Sequence, residues 1–432
     1  MKSWKQLIAT VFAAVLVMLS AAVTQVPSQS PVEAPTGFTT PSLSPGGGPG
    51  TQSVSNGLPE PAGDTFAEDQ AQFEEAEGVD SGLGPVYNAR ACSDCHQDPV
   101  TGGSSQITEF RVGNLDRHGN FQDPTIVINR GQTPIPDRSL VNDRAICPEA
   151  QERAPRHADI HALRMSLSLL GDGFVEAIDD RALQSIAAQQ PLLSNGRVHG
   201  ELIQVMVLEA PGQSRAGRFG WKDQHASLLS FSADAYLNEQ GVTSRLLPTD
   251  TTSVCKTTTD PEDKPEGDPG VADIDHFATF IRGTMAPPVD TVMAATPDAR
   301  MGQKIFMQVG CGICHVPAIT TAPAGTVING GTFTVPEALG NKVIHPYGDF
   351  LLHDIGTGDG IVQNGPPDTA NKLRTAPLWG LRTRARLMHD GRSTSLEDAI
   401  LRHQGEAREA SGRYRWLNDR ELHCLLTFLH AL

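Results

Sequence analysis

The chain has 432 residues, 39% of them hydrophobic, and a formal net charge of −16. This length suffices for two domains with their own apolar cores. The excess of acidic residues excludes sequence-independent binding of nucleic acid, which needs clustered lysines and arginines. Such an excess is typical of a well-solvated surface or of a protein with basic partners.

The N-terminus has the features of an export leader. Lys2 and Lys5 precede an apolar run, Leu7 to Val23, which contains small residues at a cleavage point. We therefore predict a signal peptide over 1–25 and a protein exported to a bacterial periplasm. The alternative is an uncleaved leader that retains the protein at the membrane, because about 20 apolar residues span a bilayer and this run is only somewhat shorter.

Residues 26–65 are rich in Pro, Gly, Ser and Thr and poor in aromatic residues. Such a segment cannot bury enough apolar surface to offset the entropy lost on ordering. We therefore predict a disordered linker here and an ordered chain from residue 66.

Two copies of the sequence C-x-x-C-H are the strongest functional signal. Each supplies two cysteines and a histidine: Cys92, Cys95 and His96 in the first motif, Cys311, Cys314 and His315 in the second. In an exported protein this sequence attaches c-type haem, because the two thiols add to the porphyrin vinyl groups and the imidazole binds the iron. A zinc half-site or a redox dithiol is an alternative for either copy alone, but two copies favour two covalently bound haem c groups.

Helical patterns flank the second motif. Thr296 and Pro297 mark a helix start before it, and Asn418 with Glu421 forms a capping box before a closing apolar helix. A helix, a haem site and a closing helix follow one another in a small cytochrome c lobe. We predict a mainly α protein with two cytochrome c-like haem lobes and long loops. The predicted lobes are 66–290 and 291–432.

Three cysteines lie outside the motifs. Cys147 and Cys255 are candidates for a disulfide in an oxidising compartment, although the sequence does not give their separation. Cys424 lies in the closing helix and is predicted to be a small buried hydrophobe.

The residues after each motif predict that the two irons are held differently. His403 falls on the apolar face of a helix that begins at Ser395, so its imidazole needs a partner. We predict that it binds the second iron, with Met388 as the rival ligand and a core histidine as the alternative. An alignment of the two lobes places Ala235 opposite His403, which predicts a first iron open to a small molecule. Other histidines that would close it are His118, His157, His161 and His199.

Several motifs resemble one family over residues 66–432. They are GLGPVYNARACSDCH, GRFGWKDQHASLL, CGICHVP, DFLLHDIG and LRTAPLWGLRTRARLMHDGRSTSLEDAILRHQGEA. They are similar to the di-haem oxidoreductase family of peroxidase-like proteins, relatives of bacterial di-haem cytochrome c peroxidase and MauG. The resemblance implies a peroxidatic N-terminal haem and a C-terminal haem that passes electrons to it. Related peroxidases hold a Ca²⁺ ion between the two lobes, and the resemblance makes Ca²⁺ a further candidate cofactor of this chain.

The chain departs from this family at two positions. The family has Met or Tyr where this chain has His403, and the catalytic Glu of the peroxidases aligns with Ser230. Another group must then move a proton on a bound peroxide. The candidates are His225, close to the replaced Glu, and Glu176, a carboxylate in an apolar run. A surface histidine and a solvated helix-end glutamate are the alternative interpretations.

The combined features predict an exported di-haem c-type oxidoreductase of peroxidase type. Electrons would pass through the C-terminal haem to a substrate-accessible N-terminal haem, where hydrogen peroxide or another small oxidant binds. The expected electron donor is a small redox protein or a quinol-linked donor. The alternatives are a non-catalytic di-haem electron-transfer cytochrome and a MauG-like or thiol-oxidising enzyme.

Overall fold

The structure, a computed structural model, describes residues 30–38, 55–60, 64–265 and 270–432. The predicted signal peptide and much of the predicted linker lie outside these ranges. Within them, no helix combines the length and the apolar character needed to cross a bilayer.

The α-helices are distributed along the whole described chain. They are α1 (Phe66–Glu74), α2 (Cys92–Cys95), α3 (Asp172–Glu176), α4 (Asp180–Leu193), α5 (Leu228–Ala235), α6 (Asp273–Gly283), α7 (Thr291–Ala294), α8 (Pro297–Val309), α9 (Leu396–Arg402), α10 (Arg408–Tyr414) and α11 (Asp419–Ala431).

The strands occupy the segments between these helices. They are β1 (Val32–Glu33), β2 (Val86–Tyr87), β3 (Thr108–Leu115), β4 (Phe121–Gln122), β5 (Ile126–Ile128), β6 (Thr133–Ile135), β7 (Leu140–Val141), β8 (Arg144–Ala145), β9 (Ile160–Met165), β10 (Gln204–Met206), β11 (Ser214–Ala216), β12 (Ile319–Thr320), β13 (Val327–Ile328), β14 (Phe333–Thr334), β15 (Lys342–Ile344), β16 (Leu352–His353) and β17 (Leu373–Arg374).

The prediction of a mainly α fold was wrong. Helical residues make up 32% of the described chain and strand residues 16%, in several small sheets, so the fold is mixed α/β. The longest antiparallel pair joins β3 and β9, with Phe110 opposite Leu163. Most other strands have two or three residues, which is too short to leave an alternating pattern in the sequence.

Parts of the predicted disordered linker contact the folded chain. β1 pairs in parallel with β15, Val32 opposite Lys342, and the side-chain amide of Asn56 donates to the carbonyl oxygens of Arg282 and Thr284 (2.8 and 3.1 Å). The composition of this segment argues against an apolar core of its own. Main-chain pairing with a sheet edge does not require one.

The largest buried apolar cluster crosses the predicted lobe boundary at residue 290. It includes Phe174 and Phe280 before the boundary and Phe350 and Trp379 after it. The described structure therefore does not divide its main core at that point, and the two-lobe division stays a prediction.

The helices predicted around the second motif are confirmed. The Thr296 hydroxyl accepts a hydrogen bond from the backbone N–H of Ala299 (3.2 Å) and caps α8. Asn418 and Glu421 form the reciprocal capping box of α11. Cys424, on α11, is buried in the apolar cluster between these two helices, as predicted.

Cys147 and Cys255 form a disulfide, with their Cα atoms 6.5 Å apart. The bond joins residues separated by 108 positions, so it removes much chain entropy from the unfolded state. We expect the double variant Cys147→Ser, Cys255→Ser to lose about 2–4 kcal/mol of unfolding free energy in denaturant titrations. A thiol reductant should lower the stability of the wild type and leave that of the variant unchanged. Equal stability of the two oxidised proteins would contradict this assignment.

Candidate functional site

The first C-x-x-C-H motif lies on α2, a single helical turn. The Asp94 carboxylate accepts hydrogen bonds from two backbone N–H groups in front of this turn (3.0 and 3.4 Å). The adjacent His96 has its Nδ1 atom 3.1 Å from the carbonyl oxygen of Gly103. Because a carbonyl only accepts, Nδ1 carries the proton and Nε2 keeps a lone pair for a metal. Desolvation lowers the pKa of His96, which favours this neutral form.

The second motif follows α8 directly. Gly310 ends the helix in the left-handed region, at φ 101°, and Cys311 begins a short 3-10 turn. His315 has its Nδ1 atom 2.9 Å from the carbonyl oxygen of Tyr347, so its Nε2 atom also keeps a lone pair. Burial, together with the neighbouring His403, lowers the pKa of His315 to about 4. The imidazole is therefore neutral at physiological pH.

His403 faces His315 across the second site. It caps the end of α9, and its Nδ1 atom lies 2.7 Å from the carbonyl oxygen of Ala399. The ring centroids of His315 and His403 are 6.5 Å apart. A metal ion held about 2 Å from one nitrogen of each ring would separate the centroids by roughly 6 Å. At this spacing, one nitrogen of each ring could bind the same metal ion.

A cavity of about 250 Å³ lies against the second motif. Its lining includes both cysteines of the motif, His315, His403 and the rival ligand Met388. Leucines from α9 and α11 supply apolar wall, and Trp221 contributes from the N-terminal half. Five arginines also line the cavity: Arg197, Arg374, Arg384, Arg386 and Arg413.

Residues 156–432 match the family described as "Di-haem oxidoreductase, putative peroxidase". The chain belongs to this family. The resemblance seen in the sequence is confirmed, and the protein is a peroxidase-like di-haem oxidoreductase with haem as its cofactor. The matched region contains the second motif and His225, and it begins after the first motif.

Two solved structures share a weak likeness with this di-haem oxidoreductase. Hydrazine synthase of Kuenenia stuttgartiensis, pressurised with xenon, is 13% identical, with a TM-score of 0.37 and coverage of 92% of this chain and 99% of that chain. A MauG-like protein associated with microbial copper homeostasis is 14% identical, with a TM-score of 0.31 and coverage of 61% and 89%. Both scores are too low to support an inference about fold or function. Among curated proteins, none matches the chain.

The residues of the second site fit a haem group. Burial raises the pKa of the Cys311 thiol to about 12, and burial also raises that of Cys95 in the first motif to about 12. Thiol redox chemistry proceeds through thiolates, which these environments disfavour. Two neutral imidazoles, an apolar cavity and arginines that can pair with carboxylates match a porphyrin and its propionates.

α5 and the turn after it connect the first motif with the predicted catalytic residue His225. Gln240 donates to the Cys92 sulfur (3.4 Å), and Asp234, on α5, has Oδ2 3.1 Å from Nε2 of His225. Burial opposes ionisation of Asp234, but the ion pair with His225 lowers its pKa overall. Nδ1 of His225 is buried and has no hydrogen-bond partner among the described residues. His225 is therefore a buried, oriented imidazole and not a surface histidine.

Glu176, the other predicted catalytic residue, lies in a closed network. Its carboxylate accepts from Arg282 (2.6 and 3.0 Å), from the backbone N–H of Leu228 (2.8 Å) and from the Asn329 amide (2.9 Å). Burial would raise its pKa, but Arg282 lowers it overall. Glu176 is fully buried and both of its oxygens are paired, so its contacts favour a structural role at the start of α5.

Sequence reasoning missed two carboxylates, one beside His225 and one close to Cys95 of the first motif. Asp234 orients His225. Glu239 lies in the turn that follows α5. Burial, with Glu109 nearby, raises the pKa of Glu239 to about 7, and the Asn88 amide donates to it (2.7 Å). After burial, Glu239 is the strongest influence on the Cys95 thiol. The sequence signal that could have identified Asp234 is an acidic residue in an otherwise apolar helix. A signal of this kind also led to the prediction of Glu176.

The four other histidines proposed as first-iron ligands lie on the surface. All are solvent-exposed: His118, His157, His161 and His199. A ligand of an enclosed iron is itself enclosed, so their placement does not favour ligation.

Proposed function

We propose that the protein is an exported enzyme that reduces hydrogen peroxide, or uses it to oxidise another molecule, with one haem c covalently attached at each motif. His96 and His315 would bind the two irons, and His403 would be the second ligand at the C-terminal haem. Electrons would enter from a small redox protein or a quinol-linked donor and pass through the C-terminal haem to the N-terminal one.

The inequality of the two sites is the observation that carries this proposal. His315 has a second imidazole facing it, at 6.5 Å between centroids. The first motif connects through Gln240 and α5 to His225, a buried imidazole whose Nδ1 atom is unpartnered among the described residues. A site with two protein ligands suits electron storage, whereas a site with one ligand and a nearby proton carrier suits reaction with a guest molecule.

Bound haem would supply the iron that binds peroxide and exchanges electrons. Reduction of one peroxide consumes two electrons and two protons and releases two water molecules. His225 would accept a proton on Nδ1 from one oxygen of the peroxide and return it to the other oxygen. Asp234 holds Nε2 of His225 and stabilises the charged imidazole, and Glu239, with its pKa raised to about 7, is a further proton donor.

Electron paramagnetic resonance of the purified protein, oxidised and half-reduced, tests this proposal. We expect one low-spin signal from the second haem, a high-spin signal from the first, and peroxide-dependent turnover. Two low-spin signals unchanged by peroxide, cyanide or carbon monoxide would instead identify an electron-transfer cytochrome. Loss of both haems on denaturation and solvent extraction would contradict covalent attachment.

The variant His403→Met tests the proposed second ligand. Replacing an imidazole by a thioether favours ferrous iron, so we expect the reduction potential of the second haem to rise while that of the first changes little. Redox titration followed by absorption spectroscopy measures both potentials. His423→Met, at an exposed position of α11, is the matched control and should leave both unchanged. An unchanged potential in His403→Met would exclude His403 as a ligand.

A further inference from the structure

A second group of metal-type ligands lies outside both C-x-x-C-H motifs. Asp64 precedes α1, Asp69 lies in the first turn of α1, and His276 lies on α6. One ligand atom from each of these residues lies within 4.8 Å of the other two. His276 Nδ1 is 2.7 Å from Oδ1 of Asp69 and 3.7 Å from Oδ2 of Asp64.

The carboxylates of this group have buried oxygens without partners. Asp69 is fully buried, and its Oδ2 atom has no hydrogen-bond partner among the described residues. Both carboxylate oxygens of the neighbouring Glu60 are likewise buried and unpartnered there. Burying a carboxylate without a partner is costly, so these oxygens point to a missing cation.

Another acidic group in the chain contains its own cation. Asp250, Asp260 and Glu262 surround the Nζ atom of Lys256, which lies 2.7 Å from Glu262. Around Asp64 and Asp69, His276 is the ion-pair partner found, and within the described residues no lysine or arginine pairs with either carboxylate. The fold therefore neutralises the group of Asp250, Asp260 and Glu262 with a lysine. Among the described residues, it provides Asp64 and Asp69 with one imidazole, that of His276.

The charges of the group support the same conclusion. Three carboxylates, those of Glu60, Asp64 and Asp69, lie close together, and among the described residues His276 is the ion-pair partner found for Asp64 and Asp69. A divalent cation would neutralise two of the three carboxylate charges and satisfy the free oxygens.

We propose that Asp64, Asp69 and His276 bind a divalent transition-metal ion of the zinc class, with Glu60 as a neighbouring carboxylate. Carboxylate oxygens combined with an imidazole nitrogen suit zinc, whereas calcium and magnesium prefer oxygen alone. The site is independent of the peroxidase proposal, because it uses none of the residues of either motif.

The ion would join two helices that pack below the first motif. α1 and α6 meet through Phe73 and Phe277, whose ring centroids are 6.1 Å apart, and Phe73 also lies 6.4 Å from the His96 ring. Asp64 and Asp69 stand on the α1 side and His276 on the α6 side. A metal bridge there would stabilise the packing of α6 against α1, whose Phe73 ring lies beside His96.

Zinc titration of the full-length, haem-loaded protein tests the proposal. After treatment with a chelator, calorimetry with Zn²⁺ alone should show one site. Zn²⁺ should also raise the thermal-unfolding midpoint. His276→Gln and Asp64→Asn should each weaken Zn²⁺ binding by at least about 10-fold, since loss even of an outer partner commonly costs that much.

Asp260→Asn, in the group that surrounds Lys256, is the matched control and should bind Zn²⁺ like the wild type. The haem absorption spectrum reports folding of every variant. Absence of Zn²⁺ binding, undiminished binding by both ligand variants, or binding of Ca²⁺ in preference to Zn²⁺ would overturn the proposal. None of these outcomes alters the spin states or the turnover that test the peroxidase function.

Discussion

Replacing Glu176 by Gln is expected to lower the free energy of unfolding by about 3–5 kcal/mol. The substitution keeps the size of the side chain but leaves the Arg282 guanidinium without its counter-charge. Glu176 is fully buried and Arg282 nearly so, with 11% of its side chain exposed, so water cannot compensate. Denaturant or thermal unfolding of the haem-loaded protein measures the loss.

Asp298→Asn is the matched control for this variant. Asp298 pairs with Arg420 on the surface, where 67% of the arginine side chain is exposed, so water screens the pair and the variant should unfold like the wild type. A Glu176→Gln protein with wild-type stability but reduced peroxide turnover would contradict the structural role and return Glu176 to the catalytic candidates.

Replacing His225 by Ala is expected to slow peroxide turnover by about 10²- to 10⁴-fold, the usual effect of losing a general acid–base group. The imidazole is buried, and Asp234 orients one of its nitrogens at 3.1 Å. The rate should be measured at saturating electron donor, so that proton transfer and not electron delivery is tested. The spectra of both haems should remain unchanged, because His225 is not a proposed ligand.

Two further variants separate proton transfer from general damage. His118→Ala, at an exposed histidine, should retain full turnover. Asp234→Asn keeps the hydrogen-bonding distance but removes the charge that stabilises the protonated imidazole, so it should lose part of the rate. Intact turnover in His225→Ala would remove His225 from the mechanism and favour Glu239, whose pKa burial raises to about 7.

Some features of the candidate site were predictable because they depend on neighbours in the chain. The C-x-x-C-H spacing itself places two thiols and an imidazole on one turn. The starts of α8 and α11 follow from Thr296 and from the Asn418–Glu421 pair, whose capping contacts span three residues. The inward direction of His403 follows from the helical period of α9.

Some strands were missed because their partners are remote, and others because they are very short. β1 pairs with β15 across most of the chain, and two-residue strands carry no readable period. Sequence separation also explains why the role of Glu176 was not predicted. In the sequence, Glu176 is a carboxylate in an apolar run with no visible partner. Its partner Arg282 is 106 positions away and becomes visible only when α3 packs against α6.

The sequence by itself determined that the protein has two C-x-x-C-H motifs, where the helices around the second motif begin, and to which family it belongs. Those properties are encoded in residues a few positions apart, where backbone geometry sets the contacts. Only the tertiary structure decided that His403 faces His315, that Asp234 orients His225, and that Asp69 meets His276. Such pairs arise from the burial of apolar surface, which is non-directional and leaves no local signature of the partner it selects.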